Sequence, residues 1–458
     1  MKLNRKKRTT IITVILLTAC VLVFLVAVYA FFLEKGTGQI EKQQPAVSED
    51  NMENISQNII QNVTQTDGLQ EAAEKETALL SELPPADVEE TSPQEDRAWE
   101  EEMGQILAQM SLEDKICQMF YITPEALTDV QLVTQAGKVT KKSLKKYPVG
   151  GLILFAKNIE DPDQIKEMTK NIKLSVSENG NLPVFIGIDE EGGRVARIGN
   201  NENFLVERVG SMSSIAESGD LYEAYNAGST IAGYLSEYGF NMDFAPDADV
   251  ITVSENAVIG DRSFGSDPEL VAAFTESYLR GLQENGIIGC AKHYPGHGGT
   301  REDSHEGAAV TERSWEEIEA SELLPFKRII NNGAAFIMAS HIEVPELTGD
   351  DTPTTLSDVL IREKLRDELG FEGVIITDSM AMGAITDNYT SDAAAVKAVE
   401  AGVDMILMPQ DFKSAYNGLL EAVRNGEISE EHIDESVRRI INAKRELIHA
   451  EDTQYPHQ

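Results

Sequence analysis

The chain has 458 residues and is 41% hydrophobic, with 39 basic against 77 acidic side chains and a formal net charge of −38. That composition supports at least one large buried core and excludes wholesale disorder. A surface this acidic repels nucleic acid and anionic lipid, so nucleic-acid binding is excluded and the plainest use of the charge is solubility.

Lys2, Arg5, Lys6, Lys7 and Arg8 precede an uncharged, mostly apolar segment from Thr9 to Leu33, long enough to cross a bilayer. Residues 1–33 are therefore expected to form a cytoplasmic basic flank and a single transmembrane helix, with the rest of the chain on the outer side. Two processing alternatives compete with a retained anchor. Leu17-Thr18-Ala19-Cys20 resembles a lipoprotein cleavage box, which would leave a lipid anchor, and Val28-Tyr29-Ala30 offers the small residues of a signal-peptide site, which would release a secreted protein. Residues 34–98 are rich in Gln, Glu, Asn, Ser and Thr and have no sustained period, which predicts a disordered tether. Cys117 and Cys290 lie in apolar patterns and read as buried thiols rather than a disulfide, and no CxxC pair suggests a zinc site.

Folded structure is expected over 99–450, followed by a short tail at 451–458. It opens with Ile106, Met110, Ile116, Met119 and Phe120 at roughly helical spacing, broken by a Ser111-x-x-Asp114 helix start. Short apolar runs then recur at Gly151–Phe155, Val184–Ile188, Met242–Ala245, Ile287–Ala291, Ala335–Ala339, Val374–Thr377 and Met405–Met408. Helical patterns lie between most of them, at Pro162–Ser177, Asp220–Tyr238, Pro268–Asn285, Trp315–Asn331, Ser357–Leu369 and Asp392–Ala401, with Ser429–Ala450 closing the chain. Strand and helix in alternation predict an α/β fold with a parallel sheet. A count approaching eight strands suits a (β/α)8 TIM-like barrel better than a doubly wound sheet, for which no GxGxxG follows the first strand.

Polar residues gather at one end of these runs. Asp189 and Glu190 follow Val184–Ile188; Asp247 and Asp249 follow Met242–Ala245; Lys292 and His293 follow Ile287–Ala291. Ser340, His341 and Glu343 follow Ala335–Ala339, and Asp378 follows Val374–Thr377. In a barrel such positions converge on one mouth. The densest of them is Lys292-His293-Tyr294-Pro295-Gly296-His297-Gly298 with Asp303-Ser304-His305, where glycines and a proline turn the chain sharply and deliver polar groups to the surface of the fold.

These residues resemble glycoside hydrolase family 3, in its single-barrel β-N-acetylglucosaminidase (beta-hexosaminidase) branch. The resemblance rests on five ordered motifs: Asp189-Glu190-Glu191-Gly192-Gly193-Arg194; Phe244-Ala245-Pro246-x-x-Asp249-Val250; Val258-Ile259-Gly260-x-Arg262-Ser263-Phe264; the KHYPGHG run with its Asp-Ser-His; and Ile376-Thr377-Asp378-Ser379-Met380. It implies that Asp378 is the nucleophile, His305 the acid/base and Asp303 the carboxylate that orients and charges that histidine. It also implies that Asp189, Arg197, Arg262, Lys292 and His293 bind the sugar, in a bacterial enzyme that uses no cofactor and no metal. The chain departs from the family at Gly299 and at Ala308-Ala309-Val310, which puts loop shape and the choice of aglycone in doubt.

The chemistry agrees with those roles. Retaining cleavage of a β-glycoside needs a carboxylate below the anomeric carbon and a proton donor at the leaving oxygen. A strand-tip aspartate such as Asp378 can supply the first, with Lys292 or Arg262 as neighbouring cations to keep it ionised, although an aspartate there also suits a helix N-cap. A histidine beside an aspartate can both give and take a proton near neutrality. His293, His297 and His305 also admit a metal-binding reading, but no HExxH pattern accompanies them. Asp249 is expected in a buried polar network, and of Glu190 and Glu191 one is expected to point inward and the other to solvent. The expected substrate is a terminal β-N-acetylglucosaminide of cell-wall fragments or chitooligosaccharides. A β-glucosidase or β-xylosidase and a noncatalytic sugar receptor are the alternatives, and a monomer is compatible with the pattern.

Overall fold

The computed structural model describes residues 92–301, 304 and 307–454. The expected transmembrane helix, the tether up to residue 91, the catalytic candidates Asp303 and His305, and the last four residues of the tail lie outside the described residues. Among the described residues no helix is long and apolar enough to cross a membrane.

Structure begins earlier than the composition suggests. A helix runs over Pro93–Gln109 because Ser92 accepts from the Glu95 amide, Glu95 returns a bond to the Ser92 amide, and Pro93 sits in the first turn. Residues 93–98 therefore belong to the folded unit rather than to the tether. At the other end a helix spans Arg445–Gln454, past the expected boundary at 450. The Ser111-x-x-Asp114 start is real: Ser111 caps the helix Leu112–Gln118.

Among the described residues ten strands follow in chain order: β1 (Phe120–Ile122), β2 (Gly151–Ile153), β3 (Phe185–Ile188), β4 (Met242–Asp243), β5 (Ile288–Tyr294), β6 (Ala309–Val310), β7 (Phe336–Ala339), β8 (Ile342–Glu343), β9 (Val374–Thr377) and β10 (Ile406–Leu407). Eight of them form one parallel sheet in the order β10-β1-β2-β3-β4-β5-β7-β9, and β6 pairs with β8 beside it. A parallel bridge between Ile376 and Met405 joins β9 to the residue before β10, bringing the two sheet edges together into a TIM-like barrel. Phe120–Ile122 is thus the first barrel strand and not a continuation of the preceding helix; it pairs with both β2 and β10.

Strands covered on both faces read as continuous apolar runs, which is why the barrel strands show little alternation. The barrel interior is filled by Tyr121, whose ring stands 5.1 Å from that of Phe244. Gly151 and Gly187 are glycines because of it: a Cβ on Gly187 would lie 2.2 Å from the Tyr121 hydroxyl, and one on Gly151 would lie 2.3 Å from its ring. The floor, at the amino ends of the strands, is sealed by Lys444. It is fully buried, donates to Gln118 Oε1 at 2.7 Å, and stands 4.8 Å over the Phe185 ring.

The pattern at Trp315–Asn331 resolves into two helices, Trp315–Glu319 and Leu323–Asn331, and Ser429–Ala450 into Glu430–Ala443 and Arg445–Gln454. Ser357–Leu369 contains a wide π-helix over Val359–Glu368. Cys117 and Cys290 are buried free thiols, and burial pushes both well above the usual thiol range.

Candidate active site

The polar residues that end the apolar runs meet at the carboxyl end of the barrel. After β3, Asp189 and Glu191 turn in toward Lys292, which extends from β5. The Lys292 ammonium donates to Asp189 Oδ1 at 3.0 Å and reaches Glu191 Oε1 at 2.7 Å. Glu191 also holds Arg262 by a two-pronged contact, Nε to Oε2 and Nη2 to Oε1, both at 2.8 Å. Burial alone would raise the Glu191 carboxyl, but Lys292 and Arg262 outweigh it and hold the group well below the ordinary carboxylate range. Burial likewise works against the Lys292 ammonium, and Glu191 with Asp189 overcomes it, keeping the lysine charged. Arg197 joins from the loop, its guanidinium 3.6 Å from Asp189 Oδ2.

Glu190 and Glu191 are both buried, so the expectation of one solvated glutamate is wrong. The chain leaves strand geometry after Ile188, and the alternation that would have pointed one of them outward ends there. Glu190 instead gathers the amides of Arg197, Ile198 and Gly199 and the Tyr234 hydroxyl, shaping the loop that carries Arg197. Gly192 and Gly193 permit that turn: both have positive φ, and a Cβ on Gly192 would stand 2.7 Å from the Gly210 carbonyl.

Beyond β4, Asp249 is buried as expected. It accepts from His293 Nδ1 at 2.7 Å and from the His293 and His297 amides. Burial is overcome by His293 and by these bonds, and the Asp249 carboxyl is held low. The bond fixes the His293 proton on Nδ1 and leaves Nε2 toward Arg262 Nη2, 3.5 Å away. Asp247 is buried as well, with Oδ2 3.4 Å from Arg262 Nη2, and burial together with Asp249 pushes its carboxyl up. Asp247, Asp249 and His293 present donor atoms within 4.8 Å of one another, a spacing a metal ion accepts. The Arg262 guanidinium already supplies a cation at that point.

His297 is buried inside its glycine turn. Thr300 spends its hydroxyl proton on the His297 carbonyl at 3.0 Å and so accepts from Nδ1–H at 2.9 Å, leaving Nε2 to accept from the Ser304 hydroxyl at 3.0 Å. Burial, reinforced by His293, pushes this imidazole down and keeps it neutral. The Ser304 carbonyl accepts from the Ala384 amide at 3.3 Å, which ties the turn to the segment after β9. Asn256 braces the same turn through the His297 and Thr300 carbonyls.

Asp378 stands at the tip of β9, half-buried, with its amide on the Ala339 carbonyl at 2.7 Å and Oδ1 accepting from the Ser379 amide at 2.7 Å. No helix starts there; the next begins at Gly383 with Met382 as its N-cap, so the capping alternative does not hold. The Asp378 charge raises the Cys290 thiol and favours the charged His297 imidazole, two positions at β5, one strand beyond β7. Lys292 and Arg262 pair with Asp189, Glu191 and Asp247. Beneath Asp378, buried His341 donates from Nε2 to the Ser379 carbonyl at 3.0 Å and accepts at Nδ1 from Thr355 at 2.8 Å.

Asp189, Arg197, Arg262, Lys292 and His293 thus share one cluster. Glu191, Asp247, Ser304 and His341 join the site without having been singled out for a role. Asp247 and His341 are signalled in advance by position just past a strand end, and Glu191 and Ser304 by their place inside the quoted motifs. Carboxylates and cations packed this closely can accept from and donate to vicinal hydroxyls of one sugar ring.

Residues 111–443 match the model described as the glycosyl hydrolase family 3 N terminal domain. Beta-hexosaminidase A of Pseudoalteromonas piscicida is 33% identical over 328 residues, covering 66% of this chain and 54% of that protein. A beta-hexosaminidase of Nitrosomonas eutropha is 36% identical over 273 residues, covering 58% of this chain and 75% of its own. Among solved structures, a glycoside hydrolase family 3 β-N-acetylglucosaminidase from Paenibacillus sp. str. FPU-7 has a TM-score of 0.69 at 36% identity, covering 73% of this chain and 62% of that one. The chain therefore spans less than two thirds of the first and third of these relatives. Given the closed parallel barrel, the ionic cluster at its carboxyl end and a family match that runs through every barrel strand, the chain belongs to glycosyl hydrolase family 3.

Proposed function

We propose that the protein is a retaining exo-β-N-acetylglucosaminidase that removes terminal β-linked N-acetylglucosamine from cell-wall fragments or chitooligosaccharides. The observation that carries the reading is the Asp189–Lys292–Glu191–Arg262 cluster at the same barrel end as Asp378. The names of the family relatives, beta-hexosaminidases and a β-N-acetylglucosaminidase, point the same way.

In this reading Asp189, Arg197, Arg262, Lys292 and His293 hold the hydroxyls of the terminal sugar, and Asp378 attacks the anomeric carbon to form a glycosyl ester while the leaving oxygen takes a proton from His305. His305, now neutral, removes a proton from water, which attacks the same carbon and releases Asp378. Asp303 favours the charged imidazole before the first step. The residues before 34 anchor the enzyme to a membrane, with the catalytic domain outside the cytoplasm on a tether.

The test is hydrolysis of aryl N-acetylglucosaminide against aryl glucoside and xyloside, together with labelling by a slow fluorinated sugar. N-acetylglucosaminide turnover with label on the Asp378 peptide is the expected result, and Asp378→Asn should abolish turnover while the protein stays folded. Unchanged turnover in that variant would end the assignment, and preference for the glucoside or xyloside would shift the substrate.

A further inference from the structure

Between Asp129 and Glu160 the chain runs for 30 residues without an acidic side chain while carrying six lysines. At the chain's average of 77 acidic residues in 458, a stretch this long should hold several. Five of the lysines, Lys138, Lys141, Lys142, Lys145 and Lys146, fall on one helix, Lys138–Lys146, whose buried side chains are Thr140 and Leu144. At roughly 100° per residue the five positions occupy one arc of roughly 140°, on the side away from those two residues. All five are exposed.

Ion pairing is sparse on this face, although single lysines elsewhere, Lys170 and Lys397, also lack a carboxylate partner among the described residues. Lys115, Lys166, Lys364 and Lys413 each have a carboxylate partner. On this helix only Lys141 does, with Glu178. Lys138, Lys142, Lys145 and Lys146 have none among the described residues. The same segment also concentrates exposed apolar area. Val130, Leu132 and Val139, at 41%, 54% and 53% exposure, are three of the six large hydrophobic side chains left exposed among the described residues.

We infer that this face, from Val130 through Lys146, docks on an anionic lipid surface. Ammonium groups without a carboxylate partner suit headgroup phosphates, and the adjoining valines and leucine suit the boundary below the headgroups. A soluble polyanion would use the lysines and leave the apolar side chains in water. The anionic remainder of the chain does not cancel the contact, because screening confines each patch to about 8 Å at physiological salt. It sets the orientation instead, turning the acidic parts of the surface away from the bilayer.

The test uses the full chain with an environment-sensitive fluorophore on Leu132→Cys, in a Cys20→Ser background; Cys117 and Cys290 are buried and do not compete for the label. Because the probe reports on this face alone, attachment through any other part of the chain leaves it silent. A blue shift is expected with vesicles of mixed phosphatidylglycerol and phosphatidylcholine, none with phosphatidylcholine alone, and loss of the shift when Lys138, Lys142, Lys145 and Lys146 are all replaced by Gln. That variant should hydrolyse a soluble aryl glycoside as the parent does, which reports its folding. No shift on anionic vesicles, an equal shift on neutral ones, or a shift produced by inorganic polyphosphate without lipid would each overturn the proposal.

Discussion

Replacing Lys292 by Met tests the ionic cluster directly. The ammonium is 3% exposed and serves two carboxylates, Asp189 at 3.0 Å and Glu191 at 2.7 Å. Removing it leaves Asp189 only the longer contact with Arg197 and leaves Glu191 only Arg262. Breaking a buried pair costs about 3–5 kcal/mol, and the surviving two-pronged Arg262 contact places this case near the lower end. With an unfolding entropy of about 2.1 cal/mol/K per residue over about 350 residues, or about 0.7 kcal/mol/K, a loss of about 3 kcal/mol lowers Tm by about 4 °C. The pH dependence has a defined sign. Glu191 is depressed from 4.5, so its contribution is complete above that value and fades as pH falls further; Lys292 is raised from 10.5, so its contribution is complete below that value and fades as pH rises through the folded value. The stability gap between parent and Lys292→Met should therefore be flat between those limits. Thermal melts of parent, Lys292→Met, Glu191→Gln and the double variant form the assay. Glu191→Gln should cost less in the Lys292→Met background by about 1–3 kcal/mol, and additivity within about 0.5 kcal/mol would refute the pairing.

His297→Ala removes the imidazole that holds Ser304. Its kcat should fall about 10- to 100-fold with KM nearly unchanged, in proportion to outer-shell effects on precisely held groups, and a steady-state comparison that moves KM instead would count against a positioning role. His341→Ala strands the Ser379 carbonyl and the Thr355 hydroxyl, at a cost of about 1–3 kcal/mol for each group left unpaired, readable in a denaturant melt. Lys444→Met leaves the buried Gln118 Oε1 without its lysine donor and should cost about 1–3 kcal/mol, whereas Lys444→Ala should cost about 2–4 kcal/mol more through the cavity left at the barrel floor. Equal losses for the two Lys444 variants would show the charge itself to be required.

Seven of the eight barrel strands are legible as apolar runs because each is buried on both faces and bounded by turn residues. β1 is not, since Phe120–Ile122 follows directly on a helix whose buried positions, Ile116 and Cys117, blend into it. The helices Lys138–Lys146 and Phe412–Arg424 also escape notice, the first because lysines dilute its apolar stripe to little more than Leu144. At the site, strand-tip residues such as Asp189, Lys292 and Asp378 are readable from position alone. The contacts that Glu191 and His341 make are not, because their partners, Arg262 and the Ser379 carbonyl, lie far away in the chain and only barrel closure brings them into reach.

The ammonium that plugs the floor and the strand that completes the sheet both come from the last stretch of the chain, at Lys444 and Ile406–Leu407. During synthesis from the ribosome, everything from β1 to β9 emerges before either is available. Until then the outer edges of β1 and β9 stand unpaired, a template for sticking to neighbouring chains. A nonsense mutation or stalled ribosome between residues 379 and 405 would thus release a product with most of its site residues and an open seam, a species for quality-control proteases rather than a weakened protein.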